Sequence, residues 1–332
     1  MDVSAGRSVA EETAGSLVSV AAFPQCSATP STRGKIPHMI RVAAVADIHA
    51  GPETAGSLAP LLSGLRDEAD ILFLAGDLTR AGKPAEAEIL ATELAEVGVP
   101  IVAVLGNHDY HSDQAPAITA ILKDASIHVL DRSSVVLDVA GQRVAIAGTK
   151  GFGGGYDAAL ADDFGEPEMK TWIRHAEAEA ETLEDVLTAL VGDVRIVLLH
   201  YAPIPDTLDG ERLELYPFLG NSMLGEAIDR SGADLVLHGH AHHGSLAGTT
   251  HGGVPVRNVA QSVIRAPYAV FTIEREDEDR PRRSLRRWRD DGDADAPGAG
   301  RERERGSRRP RWLRRGTRID DQGALDRKGR RR

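Results

Sequence analysis

Side chains that bind divalent metal ions recur at the ends of five short apolar runs in this sequence of 332 residues. Each run has the length and the composition of a buried β-strand. In open α/β sheets, ligands bind in the crevice beyond the carboxyl ends of the strands, so we expect these groups to converge at one edge of a sheet. The candidate site residues are Asp47, His49, Asp77, Asn107, His108, Asp109, His200, His240 and His242.

The spacing and the chemistry of these residues predict a centre with two metal ions. Asp47 and His49 are two residues apart, as are His240 and His242, and in an extended segment such pairs lie on the same side and reach one ion. A glycine precedes three of the groups, where we expect sharp turns close to a crowded centre. Three carboxylate or amide oxygens and four imidazoles exceed what one tetrahedral ion accepts, and they suit two Mn, Fe or Zn ions that share a carboxylate.

The composition restricts the alternatives. Apolar residues make up 42% of the chain, enough for a globular core. The single cysteine, Cys26, excludes an internal disulfide and a cysteine-based zinc site. No run approaches the roughly 18 apolar residues that a transmembrane helix needs, so we expect a cytoplasmic protein without a membrane span.

Short apolar runs alternate with longer amphipathic stretches from Ile40 onward, which predicts an α/β fold with much parallel pairing. Strands are expected at the runs that precede each candidate ligand group. Further strands are expected at 127–130, 135–139, 144–147, 254–259 and 268–273. The predicted helices are Leu58–Ala69, Pro84–Val97, Ala115–Asp124, Glu166–Val191 and Leu219–Arg230.

The ends of the chain differ from this middle part. We expect a disordered leader at 1–38, one folded domain at 39–275 and a basic disordered tail at 276–332. From Arg280 to Arg332 the chain has 20 Lys and Arg against 9 Asp and Glu, although its overall net charge is −11. The acidic domain argues against nucleic acid lying broadly across it, whereas the tail could attract nucleic acid.

In chain order the motifs read D-x-H, G-D, G-N-H-D, H and G-H-x-H. This series resembles the calcineurin-like metallophosphoesterase superfamily, in particular its bacterial phosphodiesterase branch, over about residues 40–273. The resemblance implies an α/β sandwich of two mixed β-sheets flanked by helices. It also implies a first metal on Asp47, His49 and His242, a second on Asn107, His200 and His240, and a bridge through Asp77.

The resemblance further implies hydrolysis of a phosphoester, most simply a phosphodiester, by a metal-bridging hydroxide. His108 would contact the phosphate and assist the leaving oxygen. Asp109 would orient His108. These residues thus have the roles of catalytic groups, and the substrate is expected to be a small phosphorylated molecule.

Departures from the family's branches bear on the substrate. Phosphoprotein phosphatases read G-D-x-V-D-R-G and G-N-H-E, whereas this chain has Leu-Thr-Arg-Ala-Gly after Asp77, and Asp109 in place of the glutamate. Class III cyclic-nucleotide phosphodiesterases often have a second His-Pro pair where this chain has Tyr-Ala-Pro. We expect the segment 203–220 to cover the leaving group. The aromatic residues available to stack on a base are Phe152, Tyr156, Tyr201, Tyr216 and Phe218.

Two other hypotheses remain at this stage. One is a nuclease-like enzyme that recruits nucleic acid through the 276–332 tail. The other is a non-catalytic, metal-stabilised binding protein. His108 disfavours the second, because a pure binding module has no need of that group.

Overall fold

The computed structural model describes residues 38–275, and within them eleven strands form two mixed sheets. The strands of the first sheet are β1 (His38–Val45), β2 (Ile71–Ala75), β3 (Ile101–Val104), β4 (His128–Leu130) and β11 (Ala269–Arg275). Those of the second are β5 (Ser133–Val139), β6 (Gln142–Gly148), β7 (Val194–Leu198), β8 (Leu235–His238), β9 (Ala247–Thr249) and β10 (Pro255–Asn258). The predicted tail, and the predicted leader up to residue 37, lie outside the described residues.

The pairing brings the carboxyl ends of the central strands together. The first sheet has the order β11-β1-β2-β3-β4, in which β1 to β4 are parallel and β11 is antiparallel to β1. The second has the order β5-β6-β7-β8-β10-β9, with antiparallel strands at both edges. Within each sheet the parallel strands therefore end at the same edge, and there the candidate groups follow β1, β2, β3, β7 and β8.

Helices cover the outer face of each sheet. Four of them (α1 to α4) pack on the first sheet, and α5 and α7 pack on the second. The prediction of two mixed sheets flanked by helices is confirmed. In the described part of the chain, no helix is long and apolar enough to cross a membrane. The helices are α1 (Ala59–Leu62), α2 (Leu65–Glu68), α3 (Pro84–Leu94), α4 (Ala115–Asp124), α5 (Pro167–Ala189), α6 (Tyr216–Leu219), α7 (Ser222–Ser231) and α8 (Gln261–Ile264).

Strand β1 shows why its sequence is apolar at every position from Val42 onward. Ile40, Val42 and Ala44 point into the core between the two sheets. Ala43 and Val45 point the other way, into the core under the helices of the first sheet. Because successive side chains of a strand alternate between faces, a strand covered on both sides has no solvent face and carries no alternating pattern.

One predicted helix is broken into two, and another begins later than predicted. The segment 58–69 contains α1 and α2, separated at Ser63 and Gly64. The helix predicted to begin at Leu219 begins at Ser222 as α7, because Asn221 is extended and its side chain accepts a hydrogen bond from Leu224 N at 3.1 Å. Gly220 packs directly against the carbonyl of Ala202, so that a side chain there would clash. Local capping and this close approach therefore overrode the helical periodicity.

Candidate metal centre

All seven predicted ligands meet at the carboxyl ends of the central strands. Each lies on a short loop, and the strands themselves are buried and position the loops rigidly. Each ligand follows two to four residues after the last residue of its strand. The side chains that come together are Asp47 and His49 after β1, Asp77 after β2, Asn107 after β3, His200 after β7, and His240 and His242 after β8.

The first group of potential ligands joins the loops after β1 and β8. The ligand atoms of Asp47, His49 and His242 all lie within 4.8 Å of one another. His242 Nε2 is 2.9 Å from Asp47 Oδ1, and the backbone N–H of His240 donates to Asp47 Oδ2 at 3.0 Å. The buried Asp47 carboxylate thus connects two loops that are almost two hundred residues apart in sequence.

The second group joins the loops after β2, β3, β7 and β8. The ligand atoms of Asp77, His200 and His240 lie within 4.8 Å of one another. His200 Nε2 is 3.0 Å from Asn107 Oδ1 and 3.3 Å from Asp77 Oδ1. His200 Nδ1 donates to the carbonyl of Ala75 at 2.9 Å, so Nε2 is the ring nitrogen that faces the cluster.

The carboxylate of Asp77 stands between the two groups. Its Oδ1 faces His200 and accepts the backbone N–H of His108 at 2.8 Å. Its Oδ2 faces the other way, 4.0 Å from His49 Nε2 and 3.9 Å from His108 Nε2. The two oxygens of one side chain therefore address both groups.

Burial and pairing set the charges of the cluster. Burial lowers the pKa of His49, and burial together with the nearby His200 lowers the pKa of His240 to about 3. Both rings are therefore neutral at pH 7, which is the form that binds a metal. Burial acts to raise the pKa of Asp47, but the hydrogen bond from His242 and the charge of His200 hold it below its ordinary value. The same hydrogen bond raises the pKa of His242.

The residues fit a divalent cation. His49 Nδ1 is buried and, within residues 38–275, has no hydrogen-bond partner. A buried imidazole nitrogen without a partner is costly unless another species satisfies it. Since the surrounding donors are imidazole nitrogens and carboxylate or amide oxygens, a divalent cation such as Mn²⁺, Fe²⁺ or Zn²⁺ suits the cluster.

The backbone at the ligands is left-handed, which corrects the expected extended geometry. The φ angles are +59° at Asp47, +48° at His49, +51° at Asp77 and +69° at His240. Non-glycine residues rarely adopt this conformation, and it costs of order 1–3 kcal/mol each when the surrounding structure enforces it. The D-x-H pair therefore reaches its partners through sharp turns and not through the alternation of a strand. Such strain is typical of functional sites.

Gly76 is required for close approach, as predicted. Its φ is +86°, and a Cβ at this position would lie 2.6 Å from Cγ of the His200 ring. A side chain there would displace the imidazole. The glycine therefore allows the loops after β2 and β7 to meet.

Asp109 does not orient His108, contrary to expectation. Its fully buried carboxylate accepts four hydrogen bonds: from the N–H of Leu78 at 3.1 Å, Thr79 at 2.7 Å and Gly106 at 2.8 Å, and from Thr79 Oγ1 at 2.6 Å. The side chain therefore ties the Asp77 loop to the Asn107 loop. Burial raises the pKa of this carboxyl, against the donors from Gly106 and Thr79.

His108 is held by a different group and faces the cleft. Its Nδ1 lies 2.8 Å from the carbonyl of Arg80, so that nitrogen donates. Its Nε2 points toward Asp77, and the ring packs edge-on against His49 at 4.5 Å between centroids. The side chain is nearly half exposed. A fixed, accessible imidazole beside the cluster can donate a proton or accept one.

Sequence reasoning missed several residues around the centre. Thr79 donates twice to Asp109, and Lys150 follows β6 at the same edge of the sheet as the ligands. The position of Lys150 after a strand end is a signal that the sequence offered. Trp172 lies on α5, far from any motif, and no sequence signal indicated that it lies near the site. His238 is buried against Thr207 Oγ1 at 2.8 Å, which makes it a structural residue.

Comparisons with known proteins agree with this geometry. The sequence model of the calcineurin-like phosphoesterase family matches residues 40–244. The uncharacterized protein YpbG of Bacillus subtilis (strain 168) is 26% identical over 177 residues, which are 53% of this chain and 52% of YpbG. The chain thus spans about half the length of that curated relative.

Solved structures are also similar to this chain, and the first one named below supports the fold. Phosphopantetheinyl hydrolase (PptH) from Mycobacterium tuberculosis has a TM-score of 0.54 at 12% identity, over 71% of this chain and 97% of that chain. The protein TT1561 of Thermus thermophilus has a TM-score of 0.46 at 20% identity, over 71% of this chain and 99% of that chain. With the family match over most of the described residues and its motifs assembled into metal-binding His and Asp groups, the chain belongs to the calcineurin-like phosphoesterases, a divalent-metal-dependent family that hydrolyses phosphoesters.

Proposed function

We propose that the protein hydrolyses a phosphodiester at a centre of two divalent metal ions, with Mn, Fe and Zn as the candidate metals. Asp77 would contact both ions, and His108 would act on the substrate. One ion would be held by Asp47, His49 and His242, and the other by Asn107, His200 and His240.

The observation that carries this proposal is the placement of the Asp77 carboxylate. One of its oxygens is 3.3 Å from His200 of the second group, and the other is 4.0 Å from His49 of the first group. A single-ion site has no use for a carboxylate that addresses two separate sets of nitrogens. Three sets of ligand atoms lie within 4.8 Å of one another, and Asp77 belongs to two of them, once with His200 and His240 and once with His49 and His108.

The metal ions, His108 and Asp109 would have separate roles in the proposed reaction. Ions bound here would supply Lewis acidity, which neutralises phosphate charge and lowers the pKa of water. His108, fixed through Arg80, presents Nε2 to the cleft beside Asp77. When protonated, this nitrogen donates to a phosphate oxygen or to the leaving oxygen. Asp109 holds the loops of Asp77 and Asn107 in register.

The charge around the cluster supports a diester over a monoester. The ion pairs found for Asp47 and Asp77 within residues 38–275 are with histidines. Arg80, the nearest arginine in sequence, pairs with Glu53 and is largely exposed. A monoester dianion is commonly held by arginine forks in addition to metal ions, whereas a diester carries a single charge and needs fewer.

The two alternative functions have less support. A non-catalytic binding protein would not need the accessible, oriented imidazole of His108. The nuclease-like hypothesis depends on the 276–332 tail, which lies outside the described residues. The described residues therefore favour a small phosphodiester as substrate.

The proposal is tested by metal content and turnover of the full chain. With Mn²⁺, we expect two ions per chain by elemental mass spectrometry, and faster hydrolysis of bis(4-nitrophenyl) phosphate than of 4-nitrophenyl phosphate. Asp77→Asn should lower the metal content and abolish turnover, whereas Asp124→Asn, an exposed aspartate on α4, should change neither.

Each part of the proposal can fail separately. One ion per chain would refute the dinuclear centre. Faster hydrolysis of the monoester would refute the diester assignment. Absence of turnover with Mn²⁺, Fe²⁺ and Zn²⁺ alike would overturn the hydrolytic function as a whole.

A further inference from the structure

A cavity of about 310 Å³ opens directly beside the candidate metal ligands. Two of its lining side chains, Asn107 and His240, belong to the cluster itself. A molecule in the cavity is therefore in contact with the groups proposed to hold the metal. The remaining lining residues are apolar or aromatic: Phe152, Gly153, Trp172, Tyr201, Leu215, Phe218 and Leu219.

One wall of the cavity is built by Phe152 and Tyr201. Their ring centroids are 5.8 Å apart, and Tyr201 also packs on His240 at 4.5 Å. Lys150 Nζ, which is not among the lining atoms, lies 4.7 Å from the Phe152 centroid and 5.0 Å from that of Tyr201. A cation on these rings holds them in place. The wall is therefore preformed and joined to the metal centre.

A second part of the lining is formed by Trp172 of α5 and Phe218 of α6. The two rings stack at 5.8 Å between centroids and 16° between planes. The carbonyl of Phe218 lies 3.2 Å from His240 Nε2, and the carbonyl of Pro217 accepts from Gly154 N at 2.7 Å. These contacts tie this part of the lining to the site, although Phe218 itself is 60% exposed.

The lining selects for an uncharged group. Among the described residues that line the cavity there is no lysine, arginine, aspartate or glutamate. Burial raises the pKa of Tyr201 to about 12, so its ring remains neutral. Aromatic walls favour flat rings through stacking and edge-on contacts. A cavity of about 150 Å³ is enough to hold benzene, so this one has room for a fused two-ring system.

We propose that this cavity binds a flat, uncharged aromatic group of the alcohol that is esterified to the phosphate, either an aryl group on the ester oxygen itself or the base of a nucleoside. The inference rests on the proposed function, because the cavity becomes a substrate subsite only if the phosphate sits at the metal centre. Trp172 and Phe218 are then the residues that determine specificity. The segment predicted to cover the leaving group contributes Leu215, Phe218 and Leu219 to the lining. Tyr216 and Tyr156 do not line the cavity; they pack against each other in a cluster that includes Leu219.

The test measures binding, so that it does not depend on turnover. Calorimetric titration of the Mn²⁺-loaded full chain would compare methylphosphonate, 1-naphthylphosphonate and a purine nucleoside 5′-phosphonate. The naphthyl compound should bind about tenfold more tightly than the methyl compound. Trp172→Ala and Phe218→Ala should each remove most of this preference, and Trp172→Phe should retain it. Phe164→Ala, which changes an 81% exposed ring outside the lining, should leave it intact.

The outcomes separate this inference from the function on which it rests. A preference shared by the nucleoside compound and lost in the variants identifies a nucleobase as the group, and a preference for naphthyl alone identifies an aryl group. Equal affinity for all three compounds, or a preference that both alanine variants retain, overturns the inference. If all compounds bind as expected but no phosphoester is hydrolysed with any divalent ion, the proposed function fails and the aromatic subsite does not.

Discussion

Replacement of Asp109 tests whether this carboxylate holds the metal-binding loops together. It accepts four hydrogen bonds, two on each oxygen, from groups in the loops after β2 and β3. Each is worth about 1 kcal/mol net, so Asp109→Ala should lower the free energy of unfolding by about 4 kcal/mol. Asp109→Asn keeps one accepting oxygen and replaces the other with a donor. It should therefore lose two of the four bonds and about 2 kcal/mol.

The assay is urea unfolding of the metal-free protein, followed by Mn²⁺ titration of the folded variants. Replacement of a residue that orients metal ligands typically lowers metal affinity 10- to 100-fold. We therefore expect the Mn²⁺ affinity of Asp109→Asn to be about tenfold lower than that of the wild type. Asp124→Ala, on the exposed end of α4, is the matched control and should change neither quantity. The reasoning is refuted if Asp109→Ala stays within about 1 kcal/mol of the wild type, or if Asp109→Asn binds Mn²⁺ as tightly as the wild type.

Three further predictions concern Gly76, His108 and Asp70. Gly76→Ala should abolish Mn²⁺ binding, because its Cβ would displace the imidazole of His200. Gly56→Ala is the control: Gly56 has a similar φ of +81° but nothing within 4 Å of its Cβ position, so this variant should bind Mn²⁺ and lose only about 1 kcal/mol of stability. Equal metal binding by both variants would contradict this. His108→Ala should lower kcat about 10²- to 10⁴-fold with metal content unchanged, and loss of metal would show that the ring is a ligand instead. Burial acts to raise the pKa of Asp70, but hydrogen bonds from Arg41 prevail, so the pKa is lower in the folded than in the unfolded state. The ionised carboxyl therefore stabilises the fold at pH values above its unfolded pKa, and this stabilisation is lost as pH falls through its folded pKa. In urea titrations, Asp70→Asn should therefore cost about 1 kcal/mol at pH 7 and progressively less as pH falls through the folded pKa of the carboxyl, and a cost that is the same in acid as at pH 7 would refute the pairing.

The residues of the site were easier to predict from the sequence than the backbone conformation at those residues. The ligands could be identified because each stands directly after a buried strand, and parallel strands of one sheet end at the same edge. Their local backbone conformation could not be predicted. The sequence pattern suggested extended D-x-H and H-x-H pairs, yet Asp47, His49 and His240 are left-handed. Tertiary contacts across the cluster enforce these turns, and no local propensity signals them.

Long-range contacts also decided the roles of the neighbouring polar groups. Asp109, next to His108 in the sequence, was expected to orient the His108 ring. The turn after β3 instead directs the carboxylate of Asp109 toward the loop after β2. The His108 ring is oriented by its hydrogen bond to the carbonyl of Arg80. A hydrogen-bond partner some thirty residues away has no signature in the local sequence, so such pairings follow only from the packing of the loops.

The sequence by itself determined the ligand types, their order and the α/β class of the fold, since these depend on the pattern of apolar residues and on the chemistry of single residues, and the family resemblance implied the sandwich of two sheets. Only the tertiary structure decided what surrounds the ligands. Trp172 comes from the first turns of α5 and meets Phe218 of α6 more than forty residues later. That contact exists because α5 packs against the second sheet beside the segment that covers the site. The shape of the cavity, and with it the class of substrate that we propose, is therefore a property of packing between distant elements.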